Sequence, residues 1–160
     1  MLLAPGARSA EIPAPPRRIE QAGDGALKLP ARDAALHGKV VRYEPQPHKN
    51  TLGYWTKVED WVSWDFKVGQ PGTFTVELLQ ACGKGSGGSE YAVTVGGQTL
   101  KDKVRETSPT GAFTHFTPRV LGTVSLAQPG DYTLSVKPVT KPGVAVMDLR
   151  AVTLTPVRAQ

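Results

Sequence analysis

The chain has 160 residues, 39% of them hydrophobic and 21% charged, a size and balance suited to one folded domain and too short for a dinucleotide-binding enzyme or an eightfold α/β barrel. No apolar run approaches the roughly 20 residues that cross a bilayer, so no membrane partner is expected, and a single cysteine, Cys82, excludes an internal disulfide framework and a cysteine-based zinc cluster. The net charge of +5 invites a nucleic-acid partner, but its 19 Lys and Arg are scattered among 14 Asp and Glu with no concentrated stripe, so none is expected.

Residues 1–26 differ from the rest. Met1 to Ala10 is apolar and ends in small residues, as the tail of a secretory signal does, although it lacks a basic start. Ile12-Pro-Ala-Pro-Pro-Arg-Arg18 then forbids helix and favours an extended linker. The segment is expected to be poorly ordered unless it packs along the domain surface, with a β-sandwich over 27–157 and a secreted or periplasmic location. In Trp61–Val68 the residues Val62, Trp64, Phe66 and Val68 alternate with polar neighbours, which predicts a strand with one buried face. Gly69-Gln-Pro-Gly72 makes a turn, and Phe74, Val76 and Leu78 alternate after it, so the two strands read as a hairpin-like pair.

Gly83–Gly88 reads as a flexible loop, because it lacks the lysine and hydroxyl of a phosphate loop. Tyr91, Val93 and Val95 alternate up to a hairpin turn at Gly96-Gly97. Strands are also predicted over Val120–Leu126, Tyr132–Val136 and Val144–Leu154. The last changes parity between Met147/Leu149 and Val152/Leu154, which predicts a β-bulge near Arg150-Ala151. Many short strands with Gly and Pro turns, and no sustained helical period, specify an all-β sandwich or barrel.

No catalytic constellation stands out. His37, His48 and His115 lack the close spacing of metal ligands, no serine elbow is present, and Cys82 follows a predicted strand where a small buried thiol is the default. Glu59, Asp60, Glu90, Asp102 and Asp148 are candidate acids, yet no spacing singles out a pair. Aromatic placement is more informative. Tyr54 and Trp55 lie in the loop Asn50–Thr56, and the parity of Trp61 turns it away from the face that holds Trp64. An exposed aromatic paired with amide, carboxylate or guanidinium groups suits the flat C–H face of a sugar. Trp55 and Trp61 each read either as such a platform or as a plug in the open end of the sandwich, whereas Trp64 reads as core.

Leu29-Pro-Ala-Arg-Asp-Ala-Ala-Leu-His-Gly38 resembles the opening strand of carbohydrate-binding modules of families six and thirty-five. Asp60–Phe66 with Pro71–Val76, Thr110-Gly-Ala-Phe-Thr-His-Phe116, Leu126–Val136 and Val146–Leu149 are similar to their later segments. The set, over about residues 27–157, looks most like the accessory domains of bacterial sulfatases and α-L-fucosidases. The resemblance implies a galactose-binding-like jelly roll of two antiparallel sheets that binds sugar without catalysis. It places the ligand between Phe113 and either Tyr54 or Trp55, with Phe116 in the core; Trp61, from its parity, and His115 complete the set of candidate ligand-binding residues.

Many members also hold a structural calcium. The family's two acidic positions are here Pro30 and Arg32, so no cofactor or metal is expected, and Arg32 is expected to pair with Asp148. The leading expectation is a non-catalytic carbohydrate-binding module of a secreted bacterial polysaccharide-processing system. A protein-interaction or assembly domain of the same fold, with a protein partner or a second copy, is the first alternative. A small jelly-roll hydrolase or lyase is the second.

Overall fold

The structure, a computed structural model, describes residues 18–158. Among these residues the chain forms β1 (Ile19–Glu20), β2 (Leu27–Pro30), one 3-10 turn (Ala31–Asp33), β3 (Ala35–His37), β4 (Arg42–Glu44), β5 (Thr51–Gly53), β6 (Trp61–Val68), β7 (Gly72–Ala81), β8 (Glu90–Val95), β9 (Gln98–Lys103), β10 (Thr117–Leu126), β11 (Gly130–Pro138) and β12 (Asp148–Pro156). One sheet runs β1-β6-β11-β8-β9, with β3 also on β6. The other runs β10-β7-β12-β5-β4, with β2 also on β12. Every pairing is antiparallel except β1 with β6. This is the expected all-β jelly-roll sandwich.

Period-2 alternation produces the core. Val62, Trp64, Phe66 and Val68 of β6 meet Phe74, Val76 and Leu78 of β7 and Val152 and Leu154 of β12 in one buried cluster. The indole of Trp64 donates to the Pro30 carbonyl at 2.7 Å, so its one polar atom is satisfied. The expected bulge in the last strand is present, because the β7–β12 register shifts between Leu149 and Ala151. Two-residue closure at Gly96-Gly97, with φ of +57° and +73°, joins β8 to β9 as a hairpin in the left-handed geometry glycine favours.

Four expectations are corrected. β6 and β7 do not pair; they lie in opposite sheets, and Gly69–Gly72 is an arch across the core. Alternation alone cannot separate the two arrangements, since each strand has one buried face either way. The arch is held from outside: Gln21 Oε1 accepts the Gly69 and Gln70 amides at 2.9 and 2.8 Å. The sandwich therefore does not begin at residue 27, because β1 and Gln21 belong to it; residues 1–17 of the expected linker lie outside the described residues.

The Gly83–Gly88 loop is pinned rather than free. Glu106 accepts from the Gly85 and Gly87 amides, and Gly88 donates to Val104. Any Cβ at Gly83 would strike the Gly111 carbonyl, so this glycine permits close approach of two loops. The strand expected from Val144 starts only at Asp148; Val144 is exposed, and Val146 and Met147 are buried without strand pairing.

Where β9 and β10 meet, side chains join the two sheets. Gln98 Nε2 donates to the Ser125 carbonyl at 2.6 Å and its Oε1 accepts the Ser125 amide at 2.8 Å. The Arg119 guanidinium grips Asp102 at 2.7 and 3.1 Å and holds that carboxyl below the ordinary carboxylate range.

Candidate functional site

Loops at the Asp148 end of β12 build a cleft of about 290 Å³ lined by Glu44, Lys49, Tyr54, Thr56, Phe113, Ala145 and Asp148. Its first wall comes from β4, β5 and the loop between them. The Lys49 and Asn50 amides both donate to the Gln46 carbonyl at 2.8 Å. Asn50 tolerates its φ of +42° as Asn commonly does, and its Oδ1 accepts the Tyr43 hydroxyl at 2.7 Å. From behind, Arg150 donates to the His48 and Lys49 carbonyls at 3.0 and 2.7 Å and lies 3.6 Å over the Phe116 ring. Phe116, expected in the core, is half-buried beneath that guanidinium. The bulge at Arg150 removes it from the regular ladder and lets it reach across to this loop.

At the end of β5 the chain turns sharply. A side chain on Gly53 would collide with the Glu44 carboxylate, so only glycine lets that acid lie over the strand. Tyr54 then adopts φ of +52°, a left-handed conformation that costs a non-glycine residue about 1–2 kcal/mol. The consequence is a switch of direction. Tyr54 stands half exposed with the Arg42 guanidinium 3.6 Å from its ring centre, and Trp55 drops fully into the core. The Trp55 indole donates to the Asp60 carbonyl at 2.8 Å. The carboxylate of Asp60 accepts the Lys39, Val40 and Val41 amides at 2.9 to 3.1 Å; burial pushes its pKa up, but these bonds outweigh it and hold the group below its ordinary value. Of its two readings, then, Trp55 is a plug: a ring with 0% exposure has no face for a ligand.

The polar floor rests on a buried pair. Lys49 Nζ donates to Asp148 Oδ2 at 2.6 Å and to the Phe113 carbonyl at 2.9 Å. Burial pushes the Asp148 carboxyl up to about 6, Lys49 opposes that shift, and Glu44 adds to it. The same ammonium therefore offsets the Asp148 charge and fixes the backbone that carries Phe113. Asp148 does not pair with Arg32, as expected from the sequence; Arg32 approaches Asp33 at 3.9 Å instead. The result is a recess whose wall combines an ammonium, carboxylates and two aromatic residues. Such a recess can hydrogen-bond hydroxyl groups while covering an apolar ring face.

The structure thus brings Tyr54 and Phe113 together and leaves Trp61 and His115 outside the cleft. Trp61 lies on the outer face of the first sheet. His37 stacks on it at 3.7 Å and Lys137 sits 4.3 Å from its ring centre. His37 Nε2 also bonds Ser63 Oγ at 2.8 Å, and burial and then Lys137 lower its pKa, against Asp65. His115 is exposed, and it is its carbonyl that is engaged, accepting the Thr107 hydroxyl at 2.6 Å. The Cys82 thiol is buried and pushed up to about 11 by burial, with Glu106 and Asp148 adding to it, so it is no thiolate nucleophile near neutrality.

Sequence reasoning missed Glu44 and Lys49 as cleft residues and placed Asp148 with the wrong partner. Lys49 and Asp148 stand 99 positions apart, with no local spacing to connect them. Gly53 was the one signal for Glu44, as a glycine beside an aromatic pair marks close approach.

A family profile described as "Domain of unknown function (DUF5077)" matches residues 42–158. No curated protein matches the sequence significantly. Among solved structures, a family 35 carbohydrate-binding module from Clostridium thermocellum superposes with a TM-score of 0.65 at 15% identity, over 82% of this chain and 98% of that one. The family 35 module of Abf62 from Cellvibrio japonicus gives 0.61 at 18%, over 84% and 96%. A family 6 module of lichenase 5A from Cellvibrio mixtus, solved with cellotriose, gives 0.59 at 16%, over 82% and 97%. The chain spans 29% of a Podospora anserina mannanase and 24% of a Vibrio α-L-fucosidase, to which it is also similar. At these identities the likeness establishes the galactose-binding-like fold.

Proposed function

The chain belongs to the DUF5077 family, and from that premise we propose that it is a carbohydrate-binding module whose ligand occupies the Tyr54–Phe113 cleft. The observation that carries this reading is the pairing of two aromatic side chains with the Lys49, Glu44 and Asp148 floor, at one end of a sandwich shared with modules of that kind. A pyranose lays its C–H face against Tyr54 or Phe113. Its hydroxyls donate to Glu44 and accept from the remaining hydrogen of the Lys49 ammonium.

We read the role as binding without turnover. Asp148, the cleft acid with the raised pKa, is buried behind Lys49 and committed to it, so it is poorly placed to give a proton to a glycosidic oxygen. The same contact favours a module working without a metal, since a cation at Asp148 would have to displace the ammonium. In this reading the domain is an accessory of a secreted bacterial polysaccharide-processing system, and the carbohydrate is its principal partner.

The test is isothermal titration against a panel of neutral β-glucans, mannans and galactans with the wild type, Tyr54→Ala and Trp61→Ala. Saturable binding should fall about tenfold or more in Tyr54→Ala, the equivalent of a lost stacking contact, and persist in Trp61→Ala. No binding by the wild type, or equal binding by Tyr54→Ala, would sink the assignment.

A further inference from the structure

A second and larger hollow, of about 540 Å³, lies on the outer face of the other sheet. Its floor includes Pro30, Ala151 and Leu79, which the strand register aligns in a row across β2, β12 and β7. Among the described residues, Arg18, Lys28, Arg32 and Arg150 line it, against the carboxylates of Glu20 and Asp33. These cations are unevenly satisfied. Arg18 reaches Asp131 at 3.4 Å and Arg32 touches Asp33 at the 3.9 Å limit, with side chains 57% and 68% exposed. Lys28 is exposed and forms no ion pair among the described residues. Arg150 is held by main-chain carbonyls and by Phe116, so its position is fixed in advance, and it forms no ion pair among the described residues.

We propose that this groove binds an acidic polysaccharide, a chain whose sugar rings carry carboxylate or sulfate. The charge surplus selects the anion. The aliphatic floor selects what bears it: a row of proline, alanine and leucine side chains covers the C–H face of a pyranose, but offers no ring on which nucleic-acid bases stack. No aromatic residue lines the hollow among the described residues, and Phe116, over which Arg150 lies, is not part of its wall. The groove is separate from the Tyr54 cleft yet adjoins it through a shared loop, since Arg150 holds the main chain of Lys49, whose ammonium forms the cleft floor. This inference does not depend on what fills the cleft.

The full chain is titrated with polygalacturonate, dextran sulfate, uncharged dextran and single-stranded DNA, at low and high salt. The variants are Lys28→Glu/Arg32→Glu and Tyr54→Ala, with the milder Lys28→Gln/Arg32→Gln in reserve and circular dichroism to verify folding. At least one acidic glycan should bind about tenfold more tightly than dextran, weaken as salt screens the cations, and lose about tenfold in the charge-reversed variant while Tyr54→Ala binds as the wild type does. Which acidic glycan binds assigns carboxylate or sulfate. The proposal is overturned if neither binds, if single-stranded DNA binds as tightly, if the lysine and arginine replacements change nothing, or if Tyr54→Ala abolishes the interaction and so moves it to the cleft.

Discussion

Replacing Trp55 with alanine separates a core plug from a sugar platform by energy alone. The ring is fully buried and donates at 2.8 Å to the Asp60 carbonyl. An aromatic of this kind buries about 150–250 Å², and at about 25 cal/mol per Å² its removal forfeits about 4–6 kcal/mol of burial. Leaving the Asp60 carbonyl unpaired adds about 1–3 kcal/mol, offset where the cavity relaxes. Comparable truncations cost about 3–5 kcal/mol, so a loss of about 4–5 kcal/mol is expected, a large share of the roughly 5–15 kcal/mol that holds a domain together. Trp55→Phe keeps most of the packing and loses the indole hydrogen bond, for about 1–2 kcal/mol. Urea unfolding followed by far-ultraviolet circular dichroism measures both. A Trp55→Ala protein that loses less than about 1 kcal/mol and yet no longer binds glycan would refute the reasoning and restore Trp55 as a platform.

The Asp148 carboxyl titrates at about 6 in the folded chain and near its ordinary lower value once unfolded. The native state therefore takes up the proton first, and this group's contribution to stability grows as pH falls from 7 towards 4 and is smallest above 6. Urea midpoints at pH 7 and pH 5 should reveal that gain as a difference between the wild type and Asp148→Asn, in which it disappears. Equal pH dependence in the two proteins would contradict the burial argument. Gly83→Ala forces its new methyl against the Gly111 carbonyl and so displaces the loop carrying Phe113. Overpacking here should cost about 1–3 kcal/mol in urea unfolding and weaken glycan affinity more than Trp61→Ala does, whereas unchanged affinity would detach Phe113 from the site.

The sheets were legible because several strands have one wet face, and alternation at Val62–Val68, Phe74–Leu78 and Tyr91–Val95 reports that directly. Even the bulge at Arg150 could be read, since a parity change has few other causes. Which strands pair was less accessible: β6 and β7 look alike as a hairpin or an arch, and the residue that holds the arch, Gln21, lies in a stretch whose prolines argue only for extension. The cleft divided along similar lines. Tyr54 and Phe113 could be named from an aromatic loop and a family-like segment. The opposite fates of neighbours Tyr54 and Trp55 turn on one left-handed residue, and the Lys49–Asp148 pair on a contact across most of the chain. Such long-range choices leave no local period to read.

β12 runs from Asp148 in the cleft to Pro156 at the far pole, where the Arg158 guanidinium meets the Asp24 carbonyl and Val157 hydrogen-bonds Thr73. The eight steps from the first to the last of its nine residues, at about 3.3 Å each, set these poles roughly 25 Å apart. A bead, fluorophore or second protein fused after Arg158 would therefore sit behind the domain, leaving the mouth of the cleft facing outward and unshadowed. A cargo joined into the Gly111–Ala112 turn would instead stand in the doorway.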